Sequence, residues 1–410
     1  MNSFDHDVAI IGSGPAGIAA ATALSKAGIK DVVVYEREAE VGGIPRHTHH
    51  PSFGLLVFKR PMSGPSFVRA IRKRCRGVRF ETKTTITAIR AGGELDIATP
   101  TGIRTLRARH IILATGARET PRHARLISGL RPTGITTTGA LQQFIYGTKA
   151  KPFKRPVIVG TELVSFSALW TLRTAEIKAV AMIEQNSRIT AYRPASLFAR
   201  ILGVPIYYGA TISDISDIKK LKEITIETAN TGRQKIACDG VIFSGMFTGE
   251  NTIARTSHLA LNPATQLPQV DQYWISSDPV VSVIGNATHP ADMGDQCYQE
   301  GLKAGKNVAV RLAGGIEAVC PILKINHDNN IKMTTPNIVR LNGSDTPFDI
   351  CLHVNKPFTG PVCVSSEGRI LFQKNLRCMP ARRVKLKNVR LGSCKTDVNQ
   401  TLNISLGHPN

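Results

Sequence analysis

The sequence predicts an α/β protein with two parallel-sheet units and a small β-rich C-terminal domain. The first observation is a buried strand over 6–12 (HDVAIIG), a glycine turn, an alanine-rich helix ending at Gly28, and a second strand over 31–36 (DVVVYE). The order strand, turn, helix, strand is typical of a parallel sheet. The same order recurs from residue 155, and the pattern changes near residue 316.

The second unit begins with RPVIVG (155–160) and continues through the helical pattern TELVSFSALWTLRTAE to the strand KAVAMIEQ (178–185). Further strands follow as far as KIACDGVIFSG. The run VVSVIGNA (280–287) then returns to the buried-strand pattern of the first unit, and the segment 294–312 predicts a closing helix. The chain therefore leaves the first unit and comes back to it.

The C-terminal part has a different pattern. Short alternating runs such as DICLHV, PVCVSS and RILFQK are separated by Gly, Pro and Asn. Alternation of apolar and polar residues with frequent turn residues predicts a separate β-rich domain over 316–410.

The composition indicates which cellular compartment and which kinds of metal site to expect. No run of 18 apolar residues occurs, and the first strand begins too early to leave room for a signal segment, so we expect a cytoplasmic protein. The eight cysteines include no CxxC pair and predict reduced thiols. Iron–sulfur or zinc ligation needs shorter spacings, so we expect no metal site.

The formal net charge of +22 raises the question of an anionic partner. The densest basic runs, RAIRKRCR (69–76) and ARRVKLKNVR (381–390), lack interleaved aromatic residues, which argues against nucleic acid. A solvated basic surface, peripheral association with an anionic membrane and an acidic partner protein stay open.

The turn after the first strand is Gly12-Ser13-Gly14-Pro15-Ala16-Gly17, a GxGxxG pattern. In such turns the first glycine permits the tight turn, the second lets the backbone approach a pyrophosphate, and the third lets helix and strand pack closely. The following helix presents free N–H groups to the phosphates. Glu36 ends the next strand, where an acid binds ribose hydroxyls.

Three further patterns favour FAD over NAD in this Rossmann-like unit. A glycine pair follows the acid in YEREAEVGG, IILATGA (111–117) is a second strand with a glycine turn, and VVSVIGNA is a third. Asn286 in the third can accept a hydrogen bond from the ribityl chain. The residues predicted to contact FAD are Gly12, Ser13, Gly14, Pro15, Ala16, Gly17, Glu36, Arg37, Gly43, Arg46, Ile86, Ala114, Thr115, Gly116, Gly285, Asn286 and Gln296.

The matching turn of the second unit, 160–165 (GTELVS), keeps only its first glycine. Glu162 brings a carboxylate to the expected pyrophosphate position, and Leu163 adds bulk there, so we expect poor NAD(P)H binding. The domains predicted are 1–150 (FAD-binding, first part), 151–235 (inserted, NAD-like, without an intact GxGxxG), 236–315 (FAD-binding, second part) and 316–410 (β-rich).

The order GSGPAG, YEREAEVGG, ATGARETPR, IGNA resembles that of two-dinucleotide-fold flavoproteins. More narrowly, GGIPRHTHHPSFG and VIVGTELVSFSAL resemble the FAD subunits of heteromeric dehydrogenases, namely those of opine oxidase, hydrogen cyanide synthase and dye-linked proline dehydrogenase. The resemblance covers about residues 5–315. It implies oxidation of a C–N bond in an amino acid, imino acid or opine, with a partner that is a second flavoprotein or an iron–sulfur protein. The tail cysteines are too far apart for a cluster in this chain.

Residues 44–51 (IPRHTHHP), the histidine loop, follow the glycine pair where disulfide reductases of this fold carry a cysteine pair. The absence of cysteine excludes thiol relay at this position. Arg46 can bind a carboxylate or an anionic flavin, and His47 or His49 can accept a proton. Cys297 is a fourth catalytic candidate. For each of them a purely structural role stays open.

The leading hypothesis is an FAD-dependent oxidoreductase acting on a small molecule and passing electrons to a partner or quinone-type acceptor. The alternatives are a stand-alone NAD(P)H:acceptor reductase, a flavin-dependent RNA-modifying or RNA-binding protein, and a structural protein that holds FAD without chemistry of its own.

Overall fold

The computed structural model describes residues 4–229, 231–315, 320–341, 345–392 and 401–407. Among the cysteines, Cys394 lies outside these residues. The strands are β1 (His6–Ile11), β2 (Val32–Tyr35), β3 (Arg79–Glu81), β4 (Thr85–Arg90), β5 (Glu94–Thr99), β6 (Gly102–Leu113), β7 (Ala117–Glu119), β8 (Ile135–Thr137), β9 (Pro156–Val159), β10 (Ala181–Glu184), β11 (Ile206–Tyr208), β12 (Ala210–Asp214), β13 (Glu223–Thr228), β14 (Gly232–Ala237), β15 (Gly240–Phe243), β16 (Phe247–Gly249), β17 (Val281–Val283), β18 (Ile322–His327), β19 (Ile331–Thr335), β20 (Ile338–Arg340), β21 (Phe348–Val354), β22 (Phe358–Ser366), β23 (Arg369–Cys378), β24 (Val384–Val389) and β25 (Thr401–Leu406).

The α-helices are α1 (Pro15–Lys26), α2 (Gly64–Arg74), α3 (Thr138–Gln142), α4 (Leu163–Thr174), α5 (Ala195–Ile201), α6 (Thr252–Arg255) and α7 (Gly294–Leu312). Short 3-10 helices cover Ile44–His47, Arg122–Arg125 and Gly285–Ala287, and a π-helix covers Gln143–Thr148. The predicted closing helix over 294–312 is confirmed.

The first domain is a parallel sheet with helices α1, α2 and α7 on one face and strands β4 and β5 against the other. Its strand order is β3-β2-β1-β6, with β17 on the other edge of β6. The first half of β6 also pairs antiparallel with β5, which pairs with β4. Helices α1 and α7 lie close together because Gly301 and Gly305 face α1; a Cβ at these positions would lie 2.1 Å from the Ala16 carbonyl oxygen and 2.6 Å from that of Ala20.

The second domain is inserted between β7 and β16, which pair antiparallel as a two-stranded connection. Its parallel sheet has the order β11-β10-β9-β15-β8, and β12, β13 and β14 form a separate antiparallel sheet. Because β8 and β15 pair within the parallel sheet, the domain extends on both sides of the predicted range 151–235.

The C-terminal domain is built of strands only in the residues that the structure describes. One sheet has the order β20-β18-β25-β22-β23 and the other β19-β21-β24, with a shared apolar core. The mixed α/β fold with a β-rich C-terminal domain is therefore confirmed. Of the residues described, no helix is long and apolar enough to cross a membrane.

Two buried ion pairs join the C-terminal domain to the first domain. Arg340 donates from Nε to Asp271 Oδ2 at 2.7 Å and from Nη2 to the Ser276 carbonyl oxygen at 3.2 Å. Arg383 donates to the carboxylate of Asp292. Burial raises the pKa of Asp271, although Arg340 acts against this. Burial of the pair therefore carries a desolvation cost, which the charge of Arg340 and the hydrogen bonds to Asp271 offset.

We expect Arg340→Met to lower the free energy of unfolding by about 3–5 kcal/mol, because it leaves the Asp271 carboxylate buried without its charged partner. Arg390→Met is the matched control, since the Arg390–Asp345 pair is exposed and its loss should change stability by less than about 1 kcal/mol. Urea unfolding of both variants measures the difference. Equal stabilities for the two variants would contradict a structural role for the buried pair.

Candidate functional site

The glycine turn between β1 and α1 has the geometry expected of a pyrophosphate cradle. Gly12 has φ +104° and lies so close to Ala114 that a Cβ would be 2.5 Å from its carbonyl oxygen. A Cβ on Gly17 would lie 2.0 Å from the Gly12 carbonyl oxygen. A Cβ on Gly14 would meet no protein atom within 4 Å. Gly14 therefore faces the space that a pyrophosphate needs, while its two neighbours serve the packing.

Glu36 is held in position by the same turn. Its Oε2 accepts hydrogen bonds from the Ser13 N–H at 3.1 Å and the Ser13 hydroxyl at 2.5 Å, and its Oε1 accepts from the Glu38 N–H at 2.9 Å. The Ser13 hydroxyl in turn accepts from the Gly42 N–H at 3.0 Å. The carboxylate is thus fixed at the end of β2, where it can accept from ribose hydroxyls.

The other predicted FAD contacts of the first half differ in their relation to this turn. Gly43, with φ +62°, lies so near Gly14 that its Cβ would be 2.9 Å from the Gly14 Cα. Ile86 is buried in β4, whose start adjoins Glu36 through a Thr84 N–H bond of 2.9 Å to the Glu36 carbonyl oxygen. Thr115 donates to the Glu250 carbonyl oxygen at 2.7 Å and Gly116 borders open space, whereas the Arg37 side chain is 68% exposed beside Glu38.

The third predicted FAD element, Gly285–Ala287, and the start of α7 lie on another side of the site. Gly285, with φ +67°, packs against Ala16, where a Cβ would lie 2.8 Å from the alanine Cβ. The Asn286 amide oxygen accepts from the Asp292 N–H at 2.9 Å and keeps a second lone pair for a ligand. Gln296 accepts from the Met293 N–H at 3.0 Å at the start of α7. The turn, the strand ends and this helix start fit FAD.

The histidine loop begins as a 3-10 helix next to the glycine turn. Arg46 lies 3.3 Å from a Glu40 carboxylate oxygen and 3.6 Å from one of Glu38. These pairs engage its Nη atoms, so its predicted contact with flavin or substrate stays a prediction. The ring of His49 stacks on Tyr146 with centroids 3.8 Å apart, which joins the loop to the π-helix of the second domain.

All three histidines of this loop favour the neutral form. Burial lowers the pKa of His47 below its usual value, and the positive charge of Arg46 lowers it further. Burial and Lys149 lower the pKa of His49, and burial alone lowers that of His50 to about 4. Neutral imidazoles can accept a proton at neutral pH.

Three buried polar atoms around this loop have no hydrogen-bond partner among the described residues. They are Nε of Arg46, Nδ1 of His50 and the hydroxyl of Tyr146. Buried polar groups are nearly always paired in folded proteins, so such a group calls for a ligand or water. Their location between the glycine turn and the π-helix fits a cofactor and substrate pocket.

Asp295 supports this pocket and was missed in the sequence. It is 1% exposed in the first turn of α7 and accepts from the backbone N–H groups of Gly54, Leu56 and Val57 at 2.9, 3.1 and 3.0 Å. The segment after the histidine loop is therefore fastened to the start of α7. An acid in the first turn of a helix was the available signal, but such residues more often cap their own helix.

A second group of missed residues, the seam cluster, lies buried between the first and C-terminal domains. It consists of His289, Asp292, Glu300, His353 and Arg383. Glu300 accepts from the Gly285 N–H at 2.7 Å and its other oxygen lies 2.9 Å from His289 Nε2. Burial raises the pKa values of Asp292 and Glu300 and lowers that of His289 to about 4. Arg383 and Asp292 are 91 residues apart in the sequence, so no sequence motif indicates that they pair.

Cys297 lies beside this cluster, 6% exposed. Burial raises the pKa of its thiol well above the usual value, and Asp292 and Glu300 raise it further. A protonated thiol is a weak nucleophile, so the structure gives no support to a thiolate role, and the catalytic role of Cys297 stays a prediction. The seven cysteines within the described residues are buried, and no disulfide joins any two of them.

The glycine-poor turn of the second domain is closed by a carboxylate. Glu162 Oε1 accepts from the Met246 N–H at 3.0 Å, and a Cβ on Gly245 would lie 2.4 Å from the Glu162 carboxyl group. Burial raises the pKa of Glu162, which Arg125 partly counteracts. The side chain thus spans the crevice between the ends of β9 and β15, where a second pyrophosphate would enter.

The ribose position of the second domain is also filled by the chain. Glu184 ends β10, as Glu36 ends β2, and accepts from the hydroxyl of Thr161. Its carboxylate also accepts from the Thr190 hydroxyl at 3.1 Å and the Asn186 N–H at 2.9 Å. The Ala191 N–H donates to the Thr161 carbonyl oxygen at 2.9 Å, which holds this segment over the strand end. The bonds from Thr161 and from the Asn186 N–H have counterparts at Glu36, whereas a ribose would have to displace the Thr190 hydroxyl.

Comparison with known proteins supports the fold described above. One opine oxidase subunit of Rhizobium meliloti (strain 1021) is 26% identical over 302 residues, which are 69% of this chain and 62% of the relative. The match thus spans less than two thirds of that relative. Thioredoxin reductase of T. acidophilum superposes with a TM-score of 0.62 at 19% identity, covering 75% of this chain and 99% of that one.

L-proline dehydrogenase of P. horikoshii superposes with a TM-score of 0.56 at 17% identity, covering 75% of this chain and 56% of that one. At these identities the two structures show a common fold only. Residues 6–307 match the family described as pyridine nucleotide-disulphide oxidoreductase. This span includes the glycine turn, the histidine loop and most of α7, and the chain therefore belongs to this family of FAD-binding oxidoreductases.

Proposed function

We propose that this chain is the FAD-bearing component of a heteromeric dehydrogenase that oxidises a C–N bond in an amino acid, imino acid or opine. The observation that carries the proposal is a flavin-side loop with neutral histidines and no cysteine, together with a second nucleotide pocket filled by Glu162 and Thr190. This arrangement argues against thiol relay through the histidine loop and against pyridine nucleotide binding while Glu162 and Thr190 stay in place. It keeps groups suited to a small amine substrate.

When bound, FAD supplies the hydride acceptor. The residues of the chain would bind the substrate, orient it and remove a proton from it. His47 and His49 are neutral bases for a substrate ammonium group, which must lose a proton for its C–N bond to be oxidised. The Tyr146 hydroxyl, which has no hydrogen-bond partner among the described residues, is available to hold a substrate carboxylate or amine. The stack of His49 on Tyr146 fixes both rings at one side of the pocket.

A partner is part of the proposal because the opine oxidase relative is named as one of several subunits. The second domain lacks an open nucleotide pocket, so electrons leave towards another protein or a quinone-type acceptor. The partner is a flavoprotein or an iron–sulfur protein. The basic surface of this chain suits an acidic partner, since long-range attraction speeds encounter and is screened by salt.

The test is anaerobic reduction of the purified protein, followed at the flavin absorption band. A panel of amino acids, imino acids and opines is added, with NADH and NADPH in parallel. We expect bleaching by one amine substrate and not by either nucleotide. Purification at low salt from the native cells, with identification of co-eluting chains, tests the partner. A lone chain that turns substrate over unaided would contradict the partner.

One observation favours a second candidate, an NAD(P)H-dependent reductase. Glu184 and Thr161 repeat in the second domain the arrangement of Glu36 and Ser13 in the first. If the segment 186–191 moved away, Glu184 would offer its carboxylate to a nucleotide ribose. Rapid bleaching by NADH in the same experiment would select this candidate.

We expect His47→Gln to lower kcat about 100-fold, the typical contribution of a general base. A base acts in its neutral form, and the lowered pKa keeps His47 neutral at pH 7, so the wild-type rate should fall only when the pH drops below the usual histidine pKa of 6.5. His47→Gln should lose this fall. His123→Gln, an exposed histidine on Arg122–Arg125, is the control and should behave as the wild type. An unchanged pH profile in His47→Gln would assign the proton transfer to another group.

A further inference from the structure

The seam cluster has two histidine nitrogens for which the described residues offer no partner. His289 is 2% exposed, and its Nδ1 makes no hydrogen bond; the closest acid, Asp292, has an oxygen 3.7 Å away. His353 is 8% exposed, and its Nε2 makes none either. Two unpaired imidazole nitrogens beside buried carboxylates indicate that something else occupies their lone pairs or accepts their protons.

We propose that His289, Asp292 and Glu300 form a buried binding site for a divalent transition-metal ion at the seam between the FAD-binding and C-terminal domains. One ligand atom from each of the three residues lies within 4.8 Å of the other two. One imidazole with two carboxylates suits Zn²⁺, Mn²⁺ or Fe²⁺. The ring of His353 interacts electrostatically with Asp292 and His289, and its unpaired nitrogen could bond to water held by the ion.

The charges of the cluster favour a cation. Asp292 and Glu300 bring two carboxylates to a buried place, and Arg383 brings one guanidinium, so when both acids are ionised one negative charge is left without a counterpart. A buried unpaired charge is costly, and a metal ion is one of the few ways to offset it. The alternative is that the cluster binds a proton in place of a metal ion, and the metal analysis described below distinguishes the two.

The carboxylates also have the supporting contacts typical of metal ligands. Arg383 donates to Asp292, and the Gly285 N–H donates to Glu300 at 2.7 Å. Such outer contacts orient ligands and are common around protein metal sites. Because Gly285 belongs to the third FAD element and Arg383 to the C-terminal domain, a bound ion would connect the flavin site to that domain.

The experiment is metal analysis of the FAD-loaded full-length chain, purified without chelators. A chelator-stripped sample is then unfolded, refolded with FAD in the presence of Zn²⁺ or Mn²⁺, desalted and analysed again. We expect one ion per wild-type chain in at least one of these preparations. His289→Gln and Asp292→Asn should weaken binding at least about tenfold.

The matched control is His258→Gln, which removes a histidine 2.6 Å from Asp278 near the surface of the same domain. It should bind metal as the wild type does. The flavin absorption of each variant reports whether it folds, and Asp292→Asn keeps a hydrogen-bond acceptor for Arg383 if His289→Gln does not fold. A wild-type protein without metal in every preparation would show that the cluster holds a proton and overturn the proposal. Equal binding by wild type, His289→Gln and Asp292→Asn would overturn it as well.

Discussion

Gly14→Val is expected to yield a folded protein that binds no FAD. Gly14 has φ −68°, a value that valine adopts without strain, and a Cβ there meets no protein atom within 4 Å. The valine side chain would fill the space of the pyrophosphate and prevent the approach of backbone N–H groups to its oxygens. The measurements are flavin absorption after purification, reconstitution with FAD, and circular dichroism.

Two other glycines make this prediction specific. Gly17→Val should fail to fold, because its Cβ would lie 2.0 Å from the Gly12 carbonyl oxygen. Gly147→Val, on the π-helix, places its Cβ in open space away from the turn and should keep FAD. Yellow, FAD-loaded Gly14→Val protein would show that the cofactor lies elsewhere.

The sequence was sufficient for the FAD site because its signals are local. The three glycines, Glu36 and the strand–helix order lie within one βαβ unit, and each constrains the backbone by itself. Gly12 and Gly17 are required by contacts within that unit, so the pattern and the geometry coincide. Helix α7 was predictable for the same reason, from the apolar residues along one face of residues 294–312.

The seam cluster and the closure of the second pocket could not be predicted in this way. Both depend on residues brought together by tertiary structure, as when Arg383 meets Asp292 or the Met246 N–H meets Glu162. A single His, Asp or Arg in the sequence does not indicate which residue it will contact in the folded protein. The extent of the second domain was also ambiguous, because β8 is only three residues long and its neighbour β15 lies more than 100 residues later.

Neither NADH nor NADPH is expected to reduce the flavin at a useful rate. Two unit charges 4 Å apart repel by about 4 kcal/mol at an effective dielectric constant of 20, which corresponds to roughly a thousandfold loss of affinity. Glu162 would place such a charge beside a bound pyrophosphate, and Thr190 already holds the acid that would bind the ribose. Anaerobic stopped-flow mixing with each nucleotide measures the rate, and dithionite confirms that the flavin is reducible.

Variants of the nucleotide pocket in the second domain separate the effect of the Glu162 charge from the effect of the space that its side chain fills. Glu162→Gln removes the charge but keeps the side chain in the crevice, whereas Glu162→Gly combined with Ser165→Gly also restores the glycines of the pattern. We expect Glu162→Gln to recover part of the nucleotide affinity, because the charge repulsion is gone but the side chain still fills the crevice. The double variant should recover more, although binding should stay weak because Thr190 and Ala191 still cover the ribose position. Glu176→Gln, an exposed position, is the control. Rapid reduction of the wild-type flavin by NADH would contradict the whole account, since it would require that Glu162 and the 186–191 segment move out of the pocket.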